Sequence, residues 1–222
     1  MPHHVTLDLA DPDEAIRGAM ERGHTRADLF RRGGAAVVAG GLVIGGLPSI
    51  ALGAPSRQQD IEILNFALLL EFLEAAFYVE AVERGALSGK TLSFARVVRD
   101  HELAHVEFLQ EALGSRAISR PTFDFMDTTS NPDKFRATSI VLEDTGVSAY
   151  NGQGPRLTKP TLAVAGTIVS VEARHAAWIR RIVAGPDYEA GASSYPAPAS
   201  LDPALTKAQV ESAVAATGFI KG

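Results

Sequence analysis

Five residues, His101-Glu-Leu-Ala-His105, carry two chemistries at once. Read whole as H-E-x-x-H on a helix, they set two imidazoles one turn apart with a glutamate general base between them, the pattern of a zinc protease. Read from the second letter, Glu102 and His105 form an E-x-x-H pair, one half of a carboxylate-bridged two-metal site. A second E-x-x-H, Glu172 to His175, lies further along the chain. Residues three apart on a helix share a face about one turn apart, so in each pair the Glu and the His converge on one cation.

Two more carboxylates extend the pattern. Glu71 is followed seven residues later by Tyr78, and Glu143 seven residues later by Tyr150. Seven residues make nearly two turns, so each Tyr returns to the face of its Glu and sits above it, toward the axis of a helical bundle. The chain thus repeats one grammar: Glu, seven on a Tyr, then a second helix with E-x-x-H. Two adjacent cations need about four carboxylates to cancel and bridge their charge, with neutral imidazoles at the ends. The candidate metal ligands are therefore Glu71, Glu102, His105, Glu143, Glu172 and His175.

Each of these residues has a plainer alternative. Glu74 competes with Glu71, which is preferred because its Tyr at +7 has a counterpart after Glu143. Arg174, between Glu172 and His175, offers an ordinary ion pair. Tyr78 and Tyr150 are either redox or hydrogen-bonding partners of ligand carboxylates or simply core aromatics. Trp178 reads as packing. His101 falls about 40° from His105 around the helix and is expected beside the site or at the surface, not as a ligand. The zinc-protease reading leaves the second E-x-x-H and both Glu–Tyr pairs unexplained.

These side chains need four helices to hold them. Apolar residues at Ile61, Leu64, Leu68, Phe72, Ala75 and Val79 recur every three or four positions, which predicts a helix over 57–84 stopped by Gly85. A second helix is predicted over 92–113, with Phe94, Val98, Val106 and Leu109 inward and Gly114 after it. Asn131-Pro132 is a cap followed by a proline at the first helical position, opening a third helix to about Tyr150. A fourth runs from about Thr161 to Val183, and a short last one is expected from Asp202-Pro203 to Thr217, after an extended surface stretch over 188–200. Short links within each helix pair and a long connection between the pairs predict an all-α, single-crossover four-helix bundle with a short C-terminal helix.

Composition removes competing chemistries. The chain has no Cys, so disulfides, thiolate zinc sites, iron–sulfur clusters and Cys nucleophiles are excluded. A formal charge of -5 provides no basic surface for nucleic acid. Arginines at 17, 22, 26, 31 and 32 precede an apolar, Gly- and Ala-rich run over 35–54, the layout of an export leader. The TRADLFRR context is twin-arginine-like, although Ala27 stands where the second arginine belongs. Residues 1–54 are read as that leader, with cleavage near 54, or as a retained membrane anchor; residues 55–222 are read as the folded domain.

Together, ILNFALLLEFLEAAFYVEAV, RDHELAHVEFLQEAL, IVLEDTGVSAYNG and IVSVEARHAAWI resemble the ferritin-like domain family that includes desiccation-related proteins, over about residues 58–221. The resemblance implies a ferritin-like bundle holding two Fe or two Mn ions. On that reading the function is iron or peroxide redox chemistry, ferroxidase-, peroxidase- or catalase-like, with O2 or hydrogen peroxide as small-molecule substrate. The alternative is an exported structural or stress-protective protein whose metal pair chiefly stabilises the fold. Export to the periplasm or cell envelope is expected, with membrane contact only through the leader; homo-oligomers are compatible with either function.

Overall fold

The computed structural model describes residues 54–185 and 195–221. The leader reading falls, all but Ala54, outside the described residues, as does the 188–194 part of the expected surface stretch. Helix α1 spans Arg57–Arg84, opened by the Ser56 hydroxyl accepting from the Gln59 N–H and closed by Gly85 at φ 68°. Helix α2 spans Gly89–Leu113 and α3 spans Pro132–Gln153, the latter capped by Asn131, whose side chain accepts from the N–H groups of Asp133 and Lys134. Helix α4 spans Lys159–Ala184, with Pro160 in its first turn.

Two starts differ from expectation: α2 opens at Gly89, ahead of the predicted 92, and the last helix opens late. Helix α5 spans Lys207–Thr217 and opens at Thr206, not at Asp202-Pro203. Thr206 and Gln209 exchange side-chain to backbone bonds in a capping box, which satisfies two otherwise orphaned N–H groups.

Helices α1 and α2 form one hairpin and α3 and α4 another; across the bundle α1 meets α3 and α2 meets α4. The crossover between hairpins includes β1 (Thr122–Phe123), which pairs antiparallel with β2 (Ile220–Lys221), tying the connection to the end of the chain. Phe125 of the crossover packs edge-on to Phe77 of α1 and to Phe219 after α5, with ring centroids 5.4 and 5.2 Å apart. Crossover and C-terminus therefore cover the outer side of α1, and residues 71 to 78 are buried all round the helix. No helix among the described residues is long and apolar enough to cross a membrane.

The apolar core lies in two clusters. One holds Phe77, Tyr78, Phe94, Phe125, Phe135 and Ile179; the other holds Ile63, Leu68, Phe72, Leu109, Tyr150 and Ile168. One tyrosine of the repeated pattern belongs to each. A further tie joins the hairpins: the Asp60 carboxylate accepts from the Thr158 N–H at 2.9 Å and from the hydroxyls of Thr158 and Thr161 at 2.5 and 2.6 Å. Burial pushes this carboxyl upward, but the three bonds at the start of α4 outweigh it and hold Asp60 below the ordinary carboxylate range. An anion at a helix N-terminus is also stabilised by the aligned peptide dipoles.

Candidate metal centre

Between the two clusters, α1 and α3 each present a Glu to the bundle axis, and α2 and α4 each present an E-x-x-H pair. Two groups of potential ligands form, each with donor atoms within 4.8 Å of one another: Glu71, Glu102, His105 and Glu172, and then Glu102, Glu143, Glu172 and His175. Glu102 and Glu172 belong to both. The arrangement has pseudo-two-fold symmetry, with one Glu and one His at each end and two carboxylates shared in the middle.

Distances around the histidines show what surrounds this space. His105 Nδ1 lies 3.3 Å from Glu71 Oε2, 3.2 Å from Glu102 Oε2 and 3.1 Å from Glu172 Oε1. His175 Nδ1 lies 3.1 Å from Glu102 Oε1 and 3.2 Å from Glu143 Oε2. A single imidazole N–H cannot serve three carboxylates at once. Accordingly His175 Nδ1, Glu102 Oε1, Glu143 Oε2 and both oxygens of Glu172 are fully buried without a hydrogen-bond partner. Orphaned buried polar atoms are rare, and here they converge as a donor set of hard carboxylate oxygens and imidazole nitrogens that fits a pair of cations.

The tyrosines fix the outer carboxylates by reaching across the bundle. Tyr150 on α3 donates to Glu71 Oε1 on α1 at 2.6 Å, and Tyr78 on α1 donates to Glu143 Oε1 on α3. Each phenol thus bonds the glutamate of the other hairpin, not its own, because seven residues of helix rise about 10 Å. Glu71 faces Tyr150 while Tyr78, seven residues on, faces Glu143, seven residues back, so α1 and α3 run antiparallel. In each case one carboxylate oxygen is held by a phenol and the other turned to the cage.

His101 lies outside both groups, and its Nδ1 sits 2.8 Å from His175 Nε2 with the rings stacked at 5.1 Å. It connects a buried imidazole to the exposed face of α2 and fixes which His175 nitrogen faces the carboxylates. The two histidines of HELAH therefore do not share a ligand group, and the zinc-protease pattern finds no support. Arg174 is exposed and makes no ion pair with Glu172 among the described residues. Trp178 packs edge-on to Phe94 at 5.3 Å.

Charges follow from this crowding. Burial, then the facing carboxylates Glu102 and Glu71, push Glu172 well above the ordinary range; burial also raises Glu102. Burial lifts Glu71 too, but His105, Glu102 and Tyr150 together hold it below its usual value. For His105 burial disfavours the charge, yet Glu102, Glu172 and Glu71 around it win and push it up to about 12. His175 is raised against its burial by Glu143. Burial raises both phenols, with Glu143 beside Tyr78 and Glu71 beside Tyr150 adding to it. Crowding of this kind favours retained protons in the metal-free chain, which a bound cation would displace.

Glu74, expected only as a substitute for Glu71, is buried alongside it, and its carboxylate faces Gly146 of α3. The signal for Glu74 was present in α3: the shift that carries Glu71 onto Glu143 and Tyr78 onto Tyr150 carries Glu74 onto Gly146, a residue with no side chain to compete for the same space.

Residues 59–185 match the sequence profile of the ferritin-like domain. No curated protein matches the chain.

Proposed function

The chain belongs to the ferritin-like domain family, and from that premise we propose that its buried cage holds two iron or two manganese ions and performs redox chemistry on Fe(II) or on hydrogen peroxide, with O2 or peroxide as small-molecule substrate. The observation that carries this reading is the convergence of five orphaned donor atoms from α2, α3 and α4 at the centre of the bundle. When bound, such a pair would supply two coupled one-electron changes, as two-electron reduction of O2 or disproportionation of peroxide requires.

The chain's own residues do the rest. Glu102 and Glu172 would serve both cations, Glu71 with His105 and Glu143 with His175 would hold one end each, and Tyr150 and Tyr78 orient the outer carboxylates. His101 keeps the Nε2 of His175 engaged, so its Nδ1 remains directed at the cage. The aromatic and aliphatic clusters on either side exclude bulk water, which strengthens every electrostatic contact inside. With no Cys in the chain, a thiolate iron centre cannot relay electrons. The leader-like segment over 1–54 suits a protein exported folded, with its metals already in place.

The test is metal analysis of the purified chain followed by turnover of the iron- and manganese-loaded forms. The expected result is two metal ions per chain together with oxidation of Fe(II) or loss of peroxide. Fewer than two ions overturns the centre itself. Two ions with neither reaction overturns the redox role and leaves a metal pair that stabilises the fold by binding only the native state.

A further inference from the structure

The symmetry of the carboxylates is broken at one position. Glu74 on α1 has Gly146 on α3 as its counterpart, and a Cβ placed on Gly146 would lie 3.4 Å from Glu74 Oε1, 3.7 Å from Glu74 Oε2 and 3.4 Å from Glu172 Oε2. The Glu74 carboxylate therefore fills the room left by its missing symmetry mate, on the face of α3 that Glu172 also approaches, and stands just outside the two groups of converging donor atoms. It is 3 % exposed. The other four carboxylates each have a tyrosine or histidine against them; Glu74 has no hydrogen bond or ion pair among the described residues. A buried carboxylate with no donor needs a proton or a cation.

Resting on the reading of the cage as a two-cation centre, we propose that Glu74 is a fifth carboxylate ligand, joining the pair on the side of Glu172, and that Gly146 is the vacancy that admits it. The consequence is a matter of charge. Four carboxylates balance two divalent ions, whereas a fifth offsets one further positive charge, so the cage is matched to a pair in which one ion is trivalent. Glu74 would then favour the oxidised state of the centre, an asymmetry that the six-ligand pattern does not contain.

The test uses Co(II) alone, added to the metal-free full-length chain and followed by visible absorption and by stoichiometry. Wild type is expected to take up two Co(II). Glu74→Gln should still take up two, but at least about tenfold more weakly, because affinity at oxygen-ligand sites follows the number of charged ligands, and with stronger visible bands as the coordination number falls. Glu74→Ala combined with Gly146→Glu moves the carboxylate to the symmetry-related position and should return both affinity and spectrum toward wild type. An unchanged affinity and spectrum in Glu74→Gln overturns the proposal while leaving the two-metal centre intact; so does a double variant that binds Co(II) no better than Glu74→Ala alone. Wild type that binds fewer than two Co(II) overturns the centre on which the proposal rests.

Discussion

Glu102→Ala and Glu172→Ala are each expected to disable both halves of the cage, lowering bound metal from two ions per chain to at most one and weakening what remains by more than about 100-fold. The reason is their shared position. Each belongs to both ligand groups, so its removal takes a ligand from each cation and leaves the two with less negative charge between them. Loss of a residue that merely supports a ligand costs about 10- to 100-fold in metal affinity; loss of a bridge should exceed that. Glu71→Ala and Glu143→Ala remove a ligand from one end only and should weaken one ion more than the other. Glu107, exposed on α2, is the control: Glu107→Ala should bind as wild type. Titration with Fe(II) or Mn(II) under anaerobic conditions reads all five, and equal behaviour of the shared and outer glutamates would contradict the bridging arrangement.

The second large effect is a reversal of pH dependence on metal removal. Burial and the facing carboxylates hold Glu74, Glu102 and Glu172 well above their unfolded value near 4.5. His105 is held above 6.5, to about 12, and His175 is also raised. Between the unfolded and folded values of each group the metal-free native chain binds more protons than the unfolded chain. Its stability is therefore greatest below about pH 4.5 for the carboxyls, and below about 6.5 for the imidazoles, and is lost as pH rises. Each proton retained contributes a slope of about 1.4 kcal/mol per pH unit, so one net proton between about pH 5 and pH 8 is worth about 4 kcal/mol. Glu71, held low, has the opposite sign; its stabilisation is present above 4.5 and lost below its folded value. Metal ligands must be deprotonated, so the loaded form gains affinity with pH. Melting curves are expected to show the chelated protein losing Tm from about pH 5 to 8 while the loaded protein does not. Parallel curves would mean that no cation replaces protons in the cage.

Much of this was legible in the residues. The repeated Glu-x6-Tyr and E-x-x-H pattern predicted four helices that must converge, and α1 spans the 57–84 that its apolar period predicted and ends at Gly85. The start of α5 was misread because Asp202-Pro203 is an attractive opening, whereas Thr206 and Gln209 carried the capping signature that prevailed. The crossed tyrosine bonds could not be read from one helix, since they depend on the antiparallel register between α1 and α3. Nor could the burial of the whole circumference of α1, because its outer side is covered by Phe125 and Phe219 from segments distant in sequence. Glu74 was undervalued for lack of a tyrosine partner, when the informative residue was the glycine opposite.

Anomalous diffraction at the iron and manganese edges from crystals of the metal-loaded protein locates the cations themselves. Two adjacent peaks are expected, each contacted by Glu102 and Glu172, with Glu71 and His105 at one and Glu143 and His175 at the other. Absence of anomalous density among those six side chains, with the carboxylates paired instead to protonated histidines, would contradict the two-cation centre.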